Sequence, residues 1–293
     1  MDEIAPKPWR SFEQQLELLT ERGLIIEDKG QAAEYLSSVN YYRLSGYILS
    51  FKTRDLFHRG VTFDHIVAVY EFDRNLRNLL TGLLELIEIS TRTGIAYFLG
   101  RIDREAHLHG KHFLIEGEHS NFLKNYFRIT DEARRGHELF VEHHDAKYGG
   151  ILPIWAAVEI MSFGVLSRMF RALKNDIKKS LCSEFFGVNW VYMQSWLHAL
   201  AHLRNVSAHY GRIYDKKFSI QPKISNEPFS RDKVFAYIYV AGVLCPVDDD
   251  WNYFVTKLEE LIETYEDNIE FDHIGFTNNW VWSSIILVES ANS

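Results

Sequence analysis

The chain has 293 residues, 46% of them hydrophobic and 14% aromatic, and a formal net charge of −8 at pH 7. That composition excludes a disordered chain, and the acidic balance counts against indiscriminate binding to phosphate backbones while leaving room for a local basic site. Two cysteines, Cys182 and Cys245, with no CxxC pair, exclude a disulfide framework and fit a reducing cytoplasm. The polar start Met1 to Arg10, with two prolines and acidic residues, does not read as a signal peptide.

Ser11-Phe12-Glu13-Gln14 reads as a capping box opening a helix, with Phe12, Leu16 and Leu19 on one face and Gly23 as its stop. Leu24-Ile25-Ile26 is too brief to assign. A second helix is expected over Gln31 to Val39, followed by the aromatic-dense Asn40-Tyr41-Tyr42-Arg43-Leu44-Ser45-Gly46-Tyr47. A long helical pattern covers Thr62 to Leu99, with Gly82 and Gly94 as expected bends. Gly100 to Gly150 is mixed and histidine-rich and reads as shorter helices and loops. Pro153 starts a helix that runs through Trp155, Val158 and Met161 to a kink at Ser162-Phe163-Gly164. Further helices are expected over Asn189 to about His209, Lys233 to Val243 and Asp250 to Tyr265. The longest apolar run, Val234 to Cys245, falls short of the roughly 20 residues a membrane span needs and reads as a buried core helix. No segment alternates as a strand, so the expected fold is all-α and bundle-like, with no membrane association.

The stretch Arg168 to Lys179 carries five cations and one anion; a solvated helix face is the preferred reading, ahead of phosphate contact. Ser195 to Tyr214 is different in kind. As a helix it has an apolar face of Trp196, Leu200, Leu203, Ser207 and Tyr210. Its opposite face carries His198, His202, Asn205, His209 and Arg212. Exposed helix faces are ordinarily built from Glu, Lys, Gln and Ala; imidazoles, an amide and a guanidinium make poor helix design and good anion or acid–base chemistry. Arg204 flanks the stripe. An arginine followed by a histidine after four to six residues is a weak pattern alone, since it also occurs at Arg59–His65, Arg101–His107 and Arg104–His109. The surrounding stripe singles out Arg204–His209.

Other polar groups have plainer readings. His198 and His202 have the i,i+4 spacing of zinc ligands, but no Glu lies between them and no cysteine is close, so a polar cleft lining or a dimer contact is preferred. Glu85, Glu88 and Arg92 form a stripe on the long helix, read first as a surface ion pair and second as support for an active site. Tyr41, Tyr42 and Tyr47 are expected to pack on the long helix rather than stack on bases. The irregular spacing among His107, His109, His112, His137, His143 and His144 argues weakly for a metal cluster, and no metal or cofactor is expected.

Leu203-Arg204-Asn205-Val206-Ser207-Ala208-His209-Tyr210-Gly211-Arg212 resembles the signature of the Abi-like abortive-infection proteins of the AbiD/AbiF type, within the HEPN superfamily of helical ribonucleases. Further blocks carry the same resemblance: Lys7-Pro8 with Phe12, Gln15, Leu18 and Arg22-Gly23-Leu24; Asn40 to Tyr47; Tyr70 to Arg77; and Pro153-Ile154-Trp155 with Met161 to Gly164. Nothing specific is recognised beyond about residue 220. The resemblance implies a HEPN-like helical domain over 57–225, a helical extension over 1–56, and C-terminal helices over 226–293 packed on the bundle.

It also implies a metal-independent endoribonuclease that acts as a toxin in phage defence. RNA supplies its own nucleophile, the 2′-OH; a base must take that proton, a cation must meet the charge on phosphorus, and the leaving oxygen needs a proton. His209 is the expected base or acid, Arg204 the phosphate ligand, and Asn205 the group that orients either. His198, His202, Arg212, Tyr214, Glu88, Arg92, Arg168 and Arg171 are expected to bind RNA or support the site. Five residues along a helix turn by roughly 140°, so Arg204 and His209 do not share a face. Either Arg204 reaches around, or the helix breaks near Ala208, or two copies of the chain each supply part of the site; the resemblance favours the last, as an isologous homodimer. The expected partners are an RNA substrate and a small structured RNA or protein antitoxin. The alternative is a non-catalytic RNA-binding module.

Overall fold

The computed structural model describes residues 8–225 and 229–276. Met1 to Lys7, including the Lys7 of the family-like opening, and the part of the 226–293 segment after residue 276 lie outside the described residues. The architecture is all-α, with thirteen α-helices and one two-stranded hairpin among the described residues.

Ser11 caps α1 (Phe12–Glu21) with the reciprocal bonds of a capping box, and Gly23, at φ +93°, ends it. Asp28 caps α2 (Lys29–Ser38). The aromatic segment that follows is itself a helix, α3 (Tyr41–Ile48), started by Asn40 accepting from the Tyr42 amide at 2.7 Å. A short hairpin, β1 (Lys52–Thr53) and β2 (Leu56–Phe57), returns the chain to Thr62. There Thr62 caps α4 (Phe63–Ile102), a helix of 40 residues and about 60 Å in length. It runs unbroken through both glycines expected to bend it. Gly94 serves close packing instead, since a Cβ there would stand 2.9 Å from the Phe186 ring.

The histidine-rich region, expected as short helices and loops, holds the 20-residue α5 (Glu116–Arg135) before α6 (Leu139–Tyr148). Pro153 precedes a single turn, α7 (Ile154–Ala157), and a 3-10 turn at Val158–Ile160. The expected kink is a full break at Met161 and Ser162, both extended, after which α8 (Phe163–Ala172) begins. Arg92 donates to the Glu159 and Met161 carbonyls at this break, at 3.4 and 2.8 Å. The basic stretch divides between α8 and α9 (Asn175–Phe185), and it is not one solvated face. Lys178 is buried, donating to the Arg171 carbonyl and Gln194 Oε1 with its ammonium over the Trp190 ring.

Asn189 caps α10 (Trp190–Ala208), which is followed by α11 (Val234–Leu244), α12 (Asp248–Tyr265) and a last turn, α13 (Phe271–Ile274). α4 is the axis, flanked by α3, α7, α9, α10, α11 and α12; α10 packs between α4, α8 and α11. One continuous hydrophobic core joins residues from Leu16 to Phe276. α11, apolar all round, lies inside it, and no helix among the described residues is long and apolar enough to cross a membrane.

Candidate functional site

α10 buries Met193, Trp196, Leu197, Leu200 and Leu203, which leaves a narrow solvent strip along His198, His202, Asn205 and His209. The strip ends at a defined cap. The amide of Tyr210 donates to the Ser207 carbonyl at 3.1 Å and that of Gly211 to the Val206 carbonyl at 2.8 Å, the bond pattern of a Schellman motif. Its left-handed position, φ +58°, is held by Tyr210 where glycine would be unstrained. Tyr210 was expected on the apolar face of α10, yet its side chain is 69% exposed because the helix has already ended. Arg43 secures this cap from α3, donating to the Tyr210 carbonyl at 2.6 Å and to the Tyr70 hydroxyl at 3.2 Å.

His209 is the C-cap residue, with φ −96° and ψ 19°; its ring is exposed and has no hydrogen-bond partner among the described residues. Asn205 is likewise exposed. Arg204, 40% exposed, turns toward α4, with Nε 3.6 Å from Glu88 Oε2. Glu88 is buried and also binds Arg92, at 2.5 Å. The stripe read first as a surface ion pair is therefore an interior carboxylate shared by two arginines from different helices. Glu85 faces solvent. Arg204 and His209 thus stand on either side of the terminal turn of α10, both accessible, with the helix ending between Ala208 and His209.

Beneath the cap lies a polar anchor. Asp73, with no exposed surface, accepts from the Ile213 and Tyr214 amides through Oδ1, at 2.9 and 2.6 Å. Its Oδ2 accepts from the Tyr47 hydroxyl at 2.5 Å and from Arg77, itself buried. This network fixes the chain as it leaves the motif. None of Asp73, Arg77, Tyr47 or Arg43 stands among the sequence-derived site residues. A signal did exist: Asp73 and Arg77, four apart, interrupt the buried face built by Val69, Phe72, Leu76 and Leu80. A cleft of about 620 Å3 opens beside the cap, lined by Asn40, Arg43, Arg74, Asn78, Ser207 and Tyr210 among others. The Ser207 hydroxyl is buried and without a partner among the described residues.

The remaining expected residues fall into two groups. His198 and His202 share a face with Arg168 and Arg171 of α8 and with Lys216. Burial lowers the pKa of both imidazoles, and the charges of Arg171 and Arg168 add to it for His198, those of Lys216 and His198 for His202. Arg171 approaches Glu118 at 3.8 Å and Arg168 is exposed. Arg212 lies over Gly46. Tyr214, in contrast, is out of reach of any RNA. It is fully buried, edge-on to Phe72, its hydroxyl accepting from the Glu270 amide at 2.8 Å and meeting His273 Nδ1 at 3.1 Å. Its role is to dock the start of α13.

A family model described as Abi-like protein matches residues 34–215. The matched span contains the Asn40–Tyr47, Tyr70–Arg77, Pro153–Gly164 and Leu203–Arg212 blocks, while the opening block at residues 7–24 falls outside it. No curated protein and no solved structure matches the chain.

Proposed function

The chain belongs to the Abi-like protein family, and from that membership and the geometry of the α10 terminus we propose that it is a metal-independent endoribonuclease of HEPN type acting in abortive infection. The observation that carries this reading is the pairing of an accessible Arg204, oriented by the buried Glu88, with an accessible His209 at the helix cap. In the reaction a base takes the 2′-OH proton, the 2′-oxygen bonds to phosphorus, and the P–O5′ bond breaks as the leaving oxygen gains a proton. The products are a 2′,3′-cyclic phosphate and a 5′-hydroxyl. Arg204 meets the charge that develops on the phosphoryl oxygens. One imidazole serves one of the two proton transfers, so a second copy of the chain supplies the other, in an isologous homodimer. Asn205, one turn before His209, orients the phosphate or the imidazole.

The test is cleavage of single-stranded RNA in the presence of EDTA, with end-group analysis of the products and light scattering for the dimer. His209→Ala and Arg204→Ala are expected to lose about 10²- to 10⁴-fold in rate. Unchanged cleavage in both variants removes these residues from the mechanism. A second reading, a non-catalytic RNA-binding module, is favoured by the basic face of Arg168, Arg171 and His198. Under it, charge reversal at Arg168 or Arg171 abolishes RNA binding and cellular toxicity while His209→Ala leaves both intact.

A further inference from the structure

The turn that follows α4 gathers a second set of reactive side chains, about 22 Å along the helix axis from Glu88. Asp103 Oδ2 lies 2.7 Å from His109 Nδ1 and 3.0 Å from His112 Nε2. Lys111 Nζ stands 3.0 Å from the same oxygen, while Oδ1 accepts from the Glu105 amide. One carboxylate oxygen has two lone pairs, and three donors converge on it. The crowding gathers two ring nitrogens and a carboxylate oxygen in one place, with all three atoms within 4.8 Å of one another. In a tetrahedral zinc site with bonds of about 2.0–2.1 Å, neighbouring ligand atoms stand roughly 3.3 Å apart, so the two nitrogen–oxygen separations, 2.7 and 3.0 Å, need open by only about 0.3–0.6 Å to admit an ion.

The surroundings hold the ligands in place. His112 is 7% exposed; its carbonyl accepts from the Lys174 amide at 3.0 Å, and the next residue, Phe113, pairs with Leu173 at the end of α8. Phe113 stacks on His119 at 4.0 Å, whose Nε2 meets the His107 carbonyl at 3.0 Å. His109 is half-exposed, which leaves one corner open to water, and Lys111, 66% exposed on a flexible stem, is free to swing away.

We propose that Asp103, His109 and His112 form a binding site for one divalent transition ion of the zinc type, clasping the end of α4 to the end of α8. Two imidazoles and one carboxylate suit Zn2+ and its borderline neighbours; calcium and magnesium require oxygen ligands throughout. The sequence hides the site because its ligands are spaced six and three apart, across turns that end in a single 3-10 turn at Gly110–His112 rather than along an α-helix. The site stands apart from Arg204 and His209, so it carries no step of the proposed RNA cleavage.

The probe is Co2+, titrated into full-length protein previously dialysed against chelator, with the visible d–d absorbance as readout and Zn2+ as competitor. One equivalent binds with a tetrahedral-type spectrum, and Zn2+ displaces it. His109→Ala and Asp103→Asn each weaken binding by about 100-fold or more, since even an outer-shell partner is worth roughly 10–100-fold. His109 is half-exposed, so its variant keeps the wild-type circular dichroism spectrum. A His143→Ala/His144→Ala variant, which removes the neighbouring imidazole pair on α6, binds as wild type. The proposal is overturned by wild-type protein that binds no Co2+, by equal binding in His109→Ala, or by binding lost with His143 and His144.

Discussion

Replacing Asp73 with asparagine tests whether the buried anchor beneath the α10 cap governs stability. Asparagine keeps one oxygen for the Ile213 and Tyr214 amides but turns an NH2 group toward Arg77 and the Tyr47 hydroxyl. Arg77, 4% exposed, then has no carboxylate partner, and stranding a buried charge costs about 3–5 kcal/mol. The disturbed Tyr47 hydrogen bond adds about 1 kcal/mol. A total of roughly 4–6 kcal/mol is a large part of the 5–15 kcal/mol that holds an ordinary fold together. For a chain of this size it lowers the melting temperature by on the order of 10–20 °C. Arg77→Met in the Asp73→Asn background removes the stranded charge and restores at least half the loss, giving a coupling of at least about 2–3 kcal/mol in the double-mutant cycle. Urea unfolding followed by far-ultraviolet circular dichroism measures all four proteins. An Asp73→Asn variant within about 1 kcal/mol of wild type, or a strictly additive cycle, refutes the assignment.

Tyr210→Gly relieves the left-handed backbone, worth about 1–2 kcal/mol, against about 0.4–1 kcal/mol of added chain entropy, so it stabilises by roughly 0.5–1 kcal/mol in the same urea assay; destabilisation would mean that the exposed ring carries packing. Burial and neighbouring cations lower the pKa of His198 and His202, so both gain charge at a lower pH than a free imidazole does. RNA affinity measured by fluorescence anisotropy at fixed salt therefore rises as pH falls, and a His198→Ala/His202→Ala variant loses that rise; an unaltered pH profile removes both from the interface. Burial pushes the Cys182 thiol up to about 12, so at pH 8 its thiolate fraction, and its alkylation rate by mass spectrometry, falls on the order of 10³-fold below a free cysteine's. Rapid modification of Cys182 in folded protein contradicts its burial.

Local chemistry was legible wherever a few neighbouring residues decide the outcome. The capping box at Ser11, the helix starts at Thr62 and Asn189, the long α4 and the solvent strip of α10 all follow from spacing and short-range hydrogen bonding. Helix α3 was missed because aromatic residues rank low as helix formers, and what holds it is packing against α4. The opening of α5 was hidden for want of a side-chain cap.

Periodicity tells which face of a helix is buried and nothing about what meets it. Asp73 reaches amides 140 and 141 residues away, and Glu88 finds Arg204 across the bundle. Only the packing of α4 against α10 turned an apparent surface ion pair into an interior carboxylate shared by two arginines. Other contacts sent Tyr214 into the core, where the Glu270 amide and His273 meet its hydroxyl, and the turn after α4 brought Asp103, His109 and His112 together. The sequence by itself determined the all-α class, the long helices α4 and α10, and the stripe that carries Arg204 and His209. Tertiary structure decided the remaining partners, because a buried carboxylate has more lone pairs than one neighbour on its own helix can satisfy, and a distant segment must complete the set.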